Sequence, residues 1–308
     1  MKVIDKTKAK IILILKFILY LVSLIIAFSD FLIFLTILFI LNIPLIRKSI
    51  FGRLALDPRK PTWKNVESVK YHDNYLDIFY PEIEKPKGIV LFAHGGGWIS
   101  GYRRQPNNVS WYRYLVSKGF IVATIDYSRG YKAGIEKLIK ELILAVEFLQ
   151  TKFENESYDI SLIGLSAGGH LALLTAGRIP DKIKSVVAYY SPCDLLDIWE
   201  STSLFARFAV TTTLKRLPNK SKVVYETYSP INNITENFPN TLLVHGLKDS
   251  VVPYISSVKM FKKLREKNIK VKLLLHPYGS HGFEFVLRDS KTVEIIEKTA
   301  LFLEGKVW

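Results

Sequence analysis

Hydrophobic positions fall along this chain in two textures. Residues 11–46 are almost wholly apolar, with no alternation and no polar face. From about residue 62, short apolar runs alternate with amphipathic stretches. Residues 66–71 and 75–80 alternate as strands around Asp73-Asn74, a hairpin turn signal. Residues 88–93 form a continuous apolar run, as a strand buried on both faces does. Segments 120–126, 159–164, 183–190, 241–245 and 270–276 read the same way. Helical patterns lie near 109–118, 134–152, 166–177, 253–267 and 289–303. This order predicts one α/β domain over 62–308, with a mostly parallel sheet flanked by helices and an antiparallel start. The interval 195–238 breaks the alternation, and its aromatic and β-branched content suggests a helical cap inserted over the site.

The apolar run at 11–46 predicts a membrane anchor over 1–48. A hydrocarbon core of about 30 Å needs roughly 20 helical residues. The run is longer than one span requires and barely long enough for two. In a single span Asp30 sits near the midplane, at a cost of about 2.5–3.5 kcal/mol. In a hairpin, Ser29-Asp30 becomes the polar turn, but each arm is short and Pro44 shortens the second. One transmembrane helix, with the domain outside the cytoplasm, is preferred to a hairpin with the domain inside. No small-residue cleavage site follows the run, which argues against a cleaved signal peptide. Lys16 lies near its start and can snorkel to the interface. Residues 49–61 read as a basic juxtamembrane linker.

Composition sharpens this picture. Of 308 residues 49% are hydrophobic, and the formal net charge is +15. Up to residue 60 there are ten basic residues against three acidic ones, flanking the apolar run. Such flanks meet anionic lipid headgroups. There is no basic stripe interleaved with aromatics and no zinc or helix-turn-helix signature, so nucleic acid is not an expected partner. Cys193 is the only cysteine, so no intrachain disulfide forms.

Candidate chemistry collects just after the strands, where ligands bind in a parallel sheet. Gly164-Leu165-Ser166-Ala167-Gly168 ends an apolar run and opens a helix-like stretch. A serine on a sharp strand-to-helix turn has its oxygen pushed into solvent, and its neighbours two residues away must be small. His94-Gly95-Gly96-Gly97 follows a buried strand directly. Uncovered backbone N–H groups there can hold the oxyanion of a tetrahedral intermediate. A phosphate loop would want Lys-Ser/Thr next, where Trp98-Ile99 stands. Among six histidines, His281 lies in a loop with small neighbours after the last strand and can turn toward a serine. His170 and His245 read as packing and turn residues. Asp249 is the candidate acid, with Asp126 and Asp194 as rivals that also follow strands.

The set His94-Gly95-Gly96-Gly97-Trp98, Gly164-Leu165-Ser166-Ala167-Gly168-Gly169, His245-Gly246-Leu247-Lys248-Asp249 and Ser280-His281-Gly282-Phe283 resembles the α/β-hydrolase superfamily. More narrowly it resembles the HGGGW carboxylesterases related to hormone-sensitive lipase and arylacetamide deacetylase, and the feruloyl-esterase-like hydrolases. The likeness runs from about residue 63 to 303 and leaves out the apolar segment. It implies an α/β-hydrolase fold, a Ser166–Asp249–His281 triad, and oxyanion donors at the N–H groups of Gly96, Gly97 and Ala167. It implies hydrolysis of a carboxylic ester through an acyl-enzyme on Ser166, with no metal and no cofactor. Asp126-Tyr127-Ser128-Arg129 departs from the family's D-Y-R stretch by an inserted serine. A serine peptidase, an acyltransferase and a non-catalytic binding protein on the same scaffold are the alternatives. The expected partners are a small or lipid-derived ester and membrane lipids.

Overall fold

Five-residue runs of apolar side chains with no polar face need cover on both sides, and the computed structural model supplies it. It describes residues 6–306; Lys2 and Asp5 lie outside them, as does the side chain of Lys16. The elements in order are α1 (Lys6–Phe51), β1 (Trp63–Tyr71), β2 (Asn74–Pro81), β3 (Ile89–Ala93), α2 (Pro106–Ser117), β4 (Ile121–Ile125), α3 (Gly130–Ala133), α4 (Ile135–Lys152), β5 (Ile160–Leu165) and α5 (Ala167–Arg178). There follow β6 (Ser185–Tyr189), α6 (Leu195–Glu200), α7 (Leu204–Leu214), α8 (Lys222–Thr227), β7 (Asn240–Gly246), α9 (Ile255–Glu266), β8 (Val271–His276) and α10 (Ser290–Leu303).

The eight strands form one sheet in the order β1-β2-β4-β3-β5-β6-β7-β8. β1 and β2 are antiparallel, and β2 joins β4 antiparallel. Every pairing from β4 through β3 to β8 is parallel. Successive side chains point to opposite faces. On β3, Ile89, Leu91 and Ala93 enter one core while Val90 and Phe92 enter the other. The first core is closed by Leu138, Leu142 and Leu149 of α4, Leu171 and Leu174 of α5, and Met260 and Leu264 of α9. The second is closed by Trp111 and Leu115 of α2 and by Ile295, Ile296 and Leu303 of α10. The β1–β2 turn is centred on His72-Asp73, one residue earlier than Asp73-Asn74, and His72 takes φ +47° to make it.

The chain divides into two units, 1–44 and 45–308. In the first, the helix continues through Ser29 and Asp30. Ser29 Oγ donates to the Ile25 carbonyl (2.9 Å), so the expected alternative of a hairpin turn there is not formed. Among the described residues no helix is long and apolar enough to cross a membrane, and the fold does not by itself establish the expected anchor. In the second unit, residues 52–57 pack against the domain while 58–61 are exposed. Leu54 is buried in the second core, and Asp57 accepts two hydrogen bonds from Arg113 (2.7 and 2.8 Å). The interval 195–238 holds the three short helices α6, α7 and α8.

Candidate active site

The turn from β5 into α5 sets the site. Ser166 takes φ +53°, ψ −119°, a conformation rare for a residue with a side chain. Its N–H donates to the Tyr189 carbonyl (2.9 Å), and its own carbonyl accepts from the His170 N–H (3.0 Å). Both flanking glycines are needed. A Cβ on Gly164 would strike the Gly168 backbone, and one on Gly168 would strike the carbonyls of Ala93 and His94. Strand, helix and glycine loop therefore meet with no room for a methyl group.

The structure brings Ser166, His281 and Asp249 into one row. His281 Nε2 lies 3.0 Å from Ser166 Oγ, and His281 Nδ1 lies 2.8 Å from Asp249 Oδ2. Asp249 follows β7, and its side chain is fully buried. Its Oδ1 accepts from the N–H groups of Val251 (2.8 Å) and Val252 (3.0 Å). Burial alone would raise its pKa. The charge of His281 and the hydrogen bonds from His245 and His281 outweigh that and hold it far below the usual carboxylate range. An anionic acceptor fixes the Nδ1–H tautomer of His281 and leaves Nε2 free to accept from Ser166.

The glycine loop lies against the serine. A Cβ on Gly95 would sit 3.6 Å from Ser166 Cβ. Gly96 and Gly97 take φ +122° and +60°, which turns their N–H groups away from regular pairing. The N–H groups of Gly96, Gly97 and Ala167 donate to no backbone acceptor among the described residues. Ala167 opens α5, so its N–H is one of the unpaired donors of a helix start. From above, α7 covers this loop. The Phe205 ring reaches 2.9 Å and the Ala209 methyl 3.1 Å from where a Gly97 Cβ would stand.

The other candidates have structural partners. Asp126 pairs with Arg103, accepting also from its backbone N–H (2.8 Å). Asp194 caps α6 through the Leu196 N–H (3.0 Å). Ser128 Oγ and N–H both donate to Glu141 (2.6 and 2.8 Å), which gives the inserted serine a bracing use. His245 donates from Nε2 to the Val252 carbonyl (3.0 Å) and lies 3.3 Å from Asp249 Oδ2, so it braces the acid's turn. His170 Nδ1 accepts from Trp98 Nε1 (3.3 Å), and its Nε2 donates to the Tyr228 carbonyl (2.8 Å).

Three residues close to the row escaped the sequence reading. Tyr190, just after β6, lays its ring 4.4 Å from that of His281. Its hydroxyl donates to Glu284 Oε1 (2.5 Å). Glu284 is wholly buried, and burial pushes its carboxyl up to about 7, against the lowering effects of Tyr190, His281 and Lys48. Lys48 donates to Ser280 Oγ and to the His281 carbonyl, each at 2.8 Å. The only signal for Glu284 in the sequence was its place three residues after the histidine, and for Lys48 there was none.

Comparison with known proteins is consistent with this geometry. The BD-FAE family model matches residues 76–264. Esterase LipC of Mycobacterium tuberculosis is 27% identical over 241 residues, covering 71% of this chain and 58% of that protein. A probable isoprenylcysteine alpha-carbonyl methylesterase of Oryza sativa subsp. japonica is 26% identical over 247 residues, covering 72% and 59%. The chain thus spans about three fifths of the length of these curated relatives. Among solved structures, a truncated carbohydrate esterase from gut microbiota superposes with TM-score 0.69 at 20% identity, over 81% of this chain and 100% of that one. An esterase from Pyrobaculum calidifontis superposes with TM-score 0.67 at 18% identity, over 82% and 87%. The mixed eight-stranded sheet and its flanking helices have the α/β-hydrolase fold of these structures.

Proposed function

The chain belongs to the BD-FAE family, and on that premise we propose that it is a serine hydrolase that cleaves carboxylic esters through an acyl-enzyme on Ser166. The observation that carries this is the unbroken row Ser166–His281–Asp249, with free backbone N–H groups beside the serine. His281 Nε2 accepts the Ser166 proton as Oγ attacks the ester carbonyl. Negative charge on the carbonyl oxygen is met by the N–H groups of Gly96, Gly97 and Ala167, each of which is worth roughly 100- to 1000-fold in rate in sites of this type. The tetrahedral intermediate expels the alcohol, which takes the proton from His281. Water then attacks the acyl-enzyme by the same path in reverse, releasing the acid and restoring Ser166.

The named relatives are esterases, a methylesterase among them. Their shared ester chemistry supports ester hydrolysis by this chain, and we take its substrate to be an ester of modest size. We extend the proposal to a membrane anchor formed by the apolar run at 11–46, with the domain outside the cytoplasm. Its support is the composition of the run, its basic flanks and the exposure of its described apolar side chains, such as Phe17, Leu19, Phe28 and Phe39.

The test of the catalytic reading is hydrolysis of p-nitrophenyl esters, acetyl through palmitoyl, by the detergent-solubilised full chain beside Ser166→Ala. Turnover is expected in the parent and is expected to be lost in the variant with its fold intact. More than a few per cent of residual activity in the variant would remove Ser166 as the nucleophile. Turnover of amides in preference to esters would move the reading to a peptidase.

A further inference from the structure

The last turn of α1, with the residues just after it, and the segment that carries His281 are stitched together by three hydrogen bonds. Two come from the Lys48 ammonium, to Ser280 Oγ and to the His281 carbonyl (2.8 Å each). The third runs from the Arg53 N–H to the Phe285 carbonyl (3.0 Å). The contact is close-packed as well as polar. Gly52 donates to the Lys48 carbonyl (2.9 Å), and a Cβ on Gly52 would come within 2.8 Å of Phe285 Cβ. The Lys48 stem runs past Gly282, with Cδ 3.7 Å from where a Cβ would stand. Gly282 takes φ +70°, so the loop reverses immediately after the histidine.

The partners of Lys48 are unusual for a half-buried lysine. Its hydrogen bonds go to two neutral loop oxygens, one of them the main-chain oxygen of the histidine itself. Burial lowers its pKa, an effect offset in part by the charges of Glu284 and Asp249. A lysine whose only use was solubility or headgroup contact would turn its ammonium to water. Here the charge is spent on the peptide unit that sets where the imidazole stands.

We propose that Lys48 is a positioning residue for the hydrolase: from the end of α1 it clamps the His281 main chain so that Nε2 faces Ser166 Oγ. The proposal rests on the serine-hydrolase reading for its consequence in rate. Proton transfer requires Nε2 at hydrogen-bond reach of Oγ, and a displacement of about 1 Å costs on the order of 100-fold. The clamp also makes the segment just after the apolar run a working part of the site. Lys48 lies only two residues beyond that run's end at Ile46.

The test compares Lys48→Met, Lys48→Arg and Arg47→Met in the full chain, Arg47 being the exposed neighbour of Lys48. Lys48→Met should lower kcat on p-nitrophenyl acetate by about 10- to 100-fold with KM within about twofold. Fluorophosphonate labelling of Ser166 should slow by the same factor, because it needs the same base. Lys48→Arg should recover most of the rate, and Arg47→Met should match the parent. The downfield proton resonance of the His281 Nδ1–H, assigned by its loss in His281→Asn, should broaden away in Lys48→Met alone. The proposal is overturned if kcat and that resonance are unchanged in Lys48→Met. It is equally overturned if less serine labels but turnover per labelled site stays at the parent's value, since that is loss of fold. A parent that turns over no ester would sink the hydrolase reading by itself. The resonance would then still decide whether Lys48 orders the histidine.

Discussion

Asp249 uses its two oxygens for different tasks. Oδ1 is held by two main-chain N–H donors, Val251 and Val252, while Oδ2 faces His281 Nδ1. Asn at this position has to keep its one carbonyl oxygen on the two N–H donors, because turning the amide over would set its NH₂ against both. That leaves the NH₂ facing His281 Nδ1, which must then be the acceptor. The proton moves to Nε2, which can no longer take one from Ser166. Asp249→Asn is therefore expected to lower kcat on the order of 10⁴-fold with the fold intact, a loss of about 5 kcal/mol of transition-state stabilisation. Steady-state hydrolysis of p-nitrophenyl acetate checks it, and a loss below tenfold would assign the acid elsewhere. The serine was legible in the sequence because its spacing has a steric cause that survives in one dimension. The acid was not singled out by the residues alone, since Asp126, Asp194 and Asp249 all follow strands. Only their neighbours in space separate them: an arginine for Asp126, a helix N-terminus for Asp194, and an imidazole for Asp249.

Elements hold the glycine loop from two sides. α5 offers His170, whose ring joins Trp98 of the loop to Tyr228 of the cap. α7 lays Phe205 and Ala209 on Gly97. The strands and the long helices were legible because burial on both faces, or on one, writes a period into the sequence. The cap was legible only as a break in that period, because α6, α7 and α8 have 6, 11 and 6 residues and share their buried positions among several neighbours. At α1 the sequence offered two solutions, and Ser29-Asp30 was the deciding pair. The helix runs through it, with the serine hydroxyl returned to the Ile25 carbonyl inside the helix. If the proposed anchor forms, such a helix is held in the bilayer by its buried apolar side chains and not by headgroup charge. The full chain is thus expected to stay in the membrane pellet after alkaline carbonate and after high salt. Release by carbonate would reduce the anchor to a peripheral contact, and release by salt alone would assign it to the basic flanks.

Across the whole molecule, the sheet could be read from the sequence, but the charge balance of its interior could not. Apolar runs say where a core lies. His170 reads as a packing residue and is enclosed, but the runs do not say that His94 and Glu284 are enclosed too, because each reads as an ordinary loop residue. Enclosure moves these groups in opposite senses. Burial lowers His94 and His170 to about 4, so the unfolded chain binds more protons than the folded one between about 6.5 and 4. Their contribution is fully present above about 6.5 and is lost as pH falls through about 4. Glu284 is raised to about 7, so there the folded chain holds the extra proton. Its contribution is fully present below about 4.5 and is lost as pH rises through about 7. The two histidines together outweigh the one carboxyl, and acid should destabilise the domain. Glu284→Gln removes only the opposing part. Between pH 7 and 4.5 the variant should lose about 3 kcal/mol more stability than the parent does. Denaturant unfolding of parent and variant in detergent at several pH values across that interval checks it. Parallel curves would mean that Glu284 titrates as an ordinary exposed carboxylate, and that the Tyr190 hydroxyl meets an ionised partner throughout.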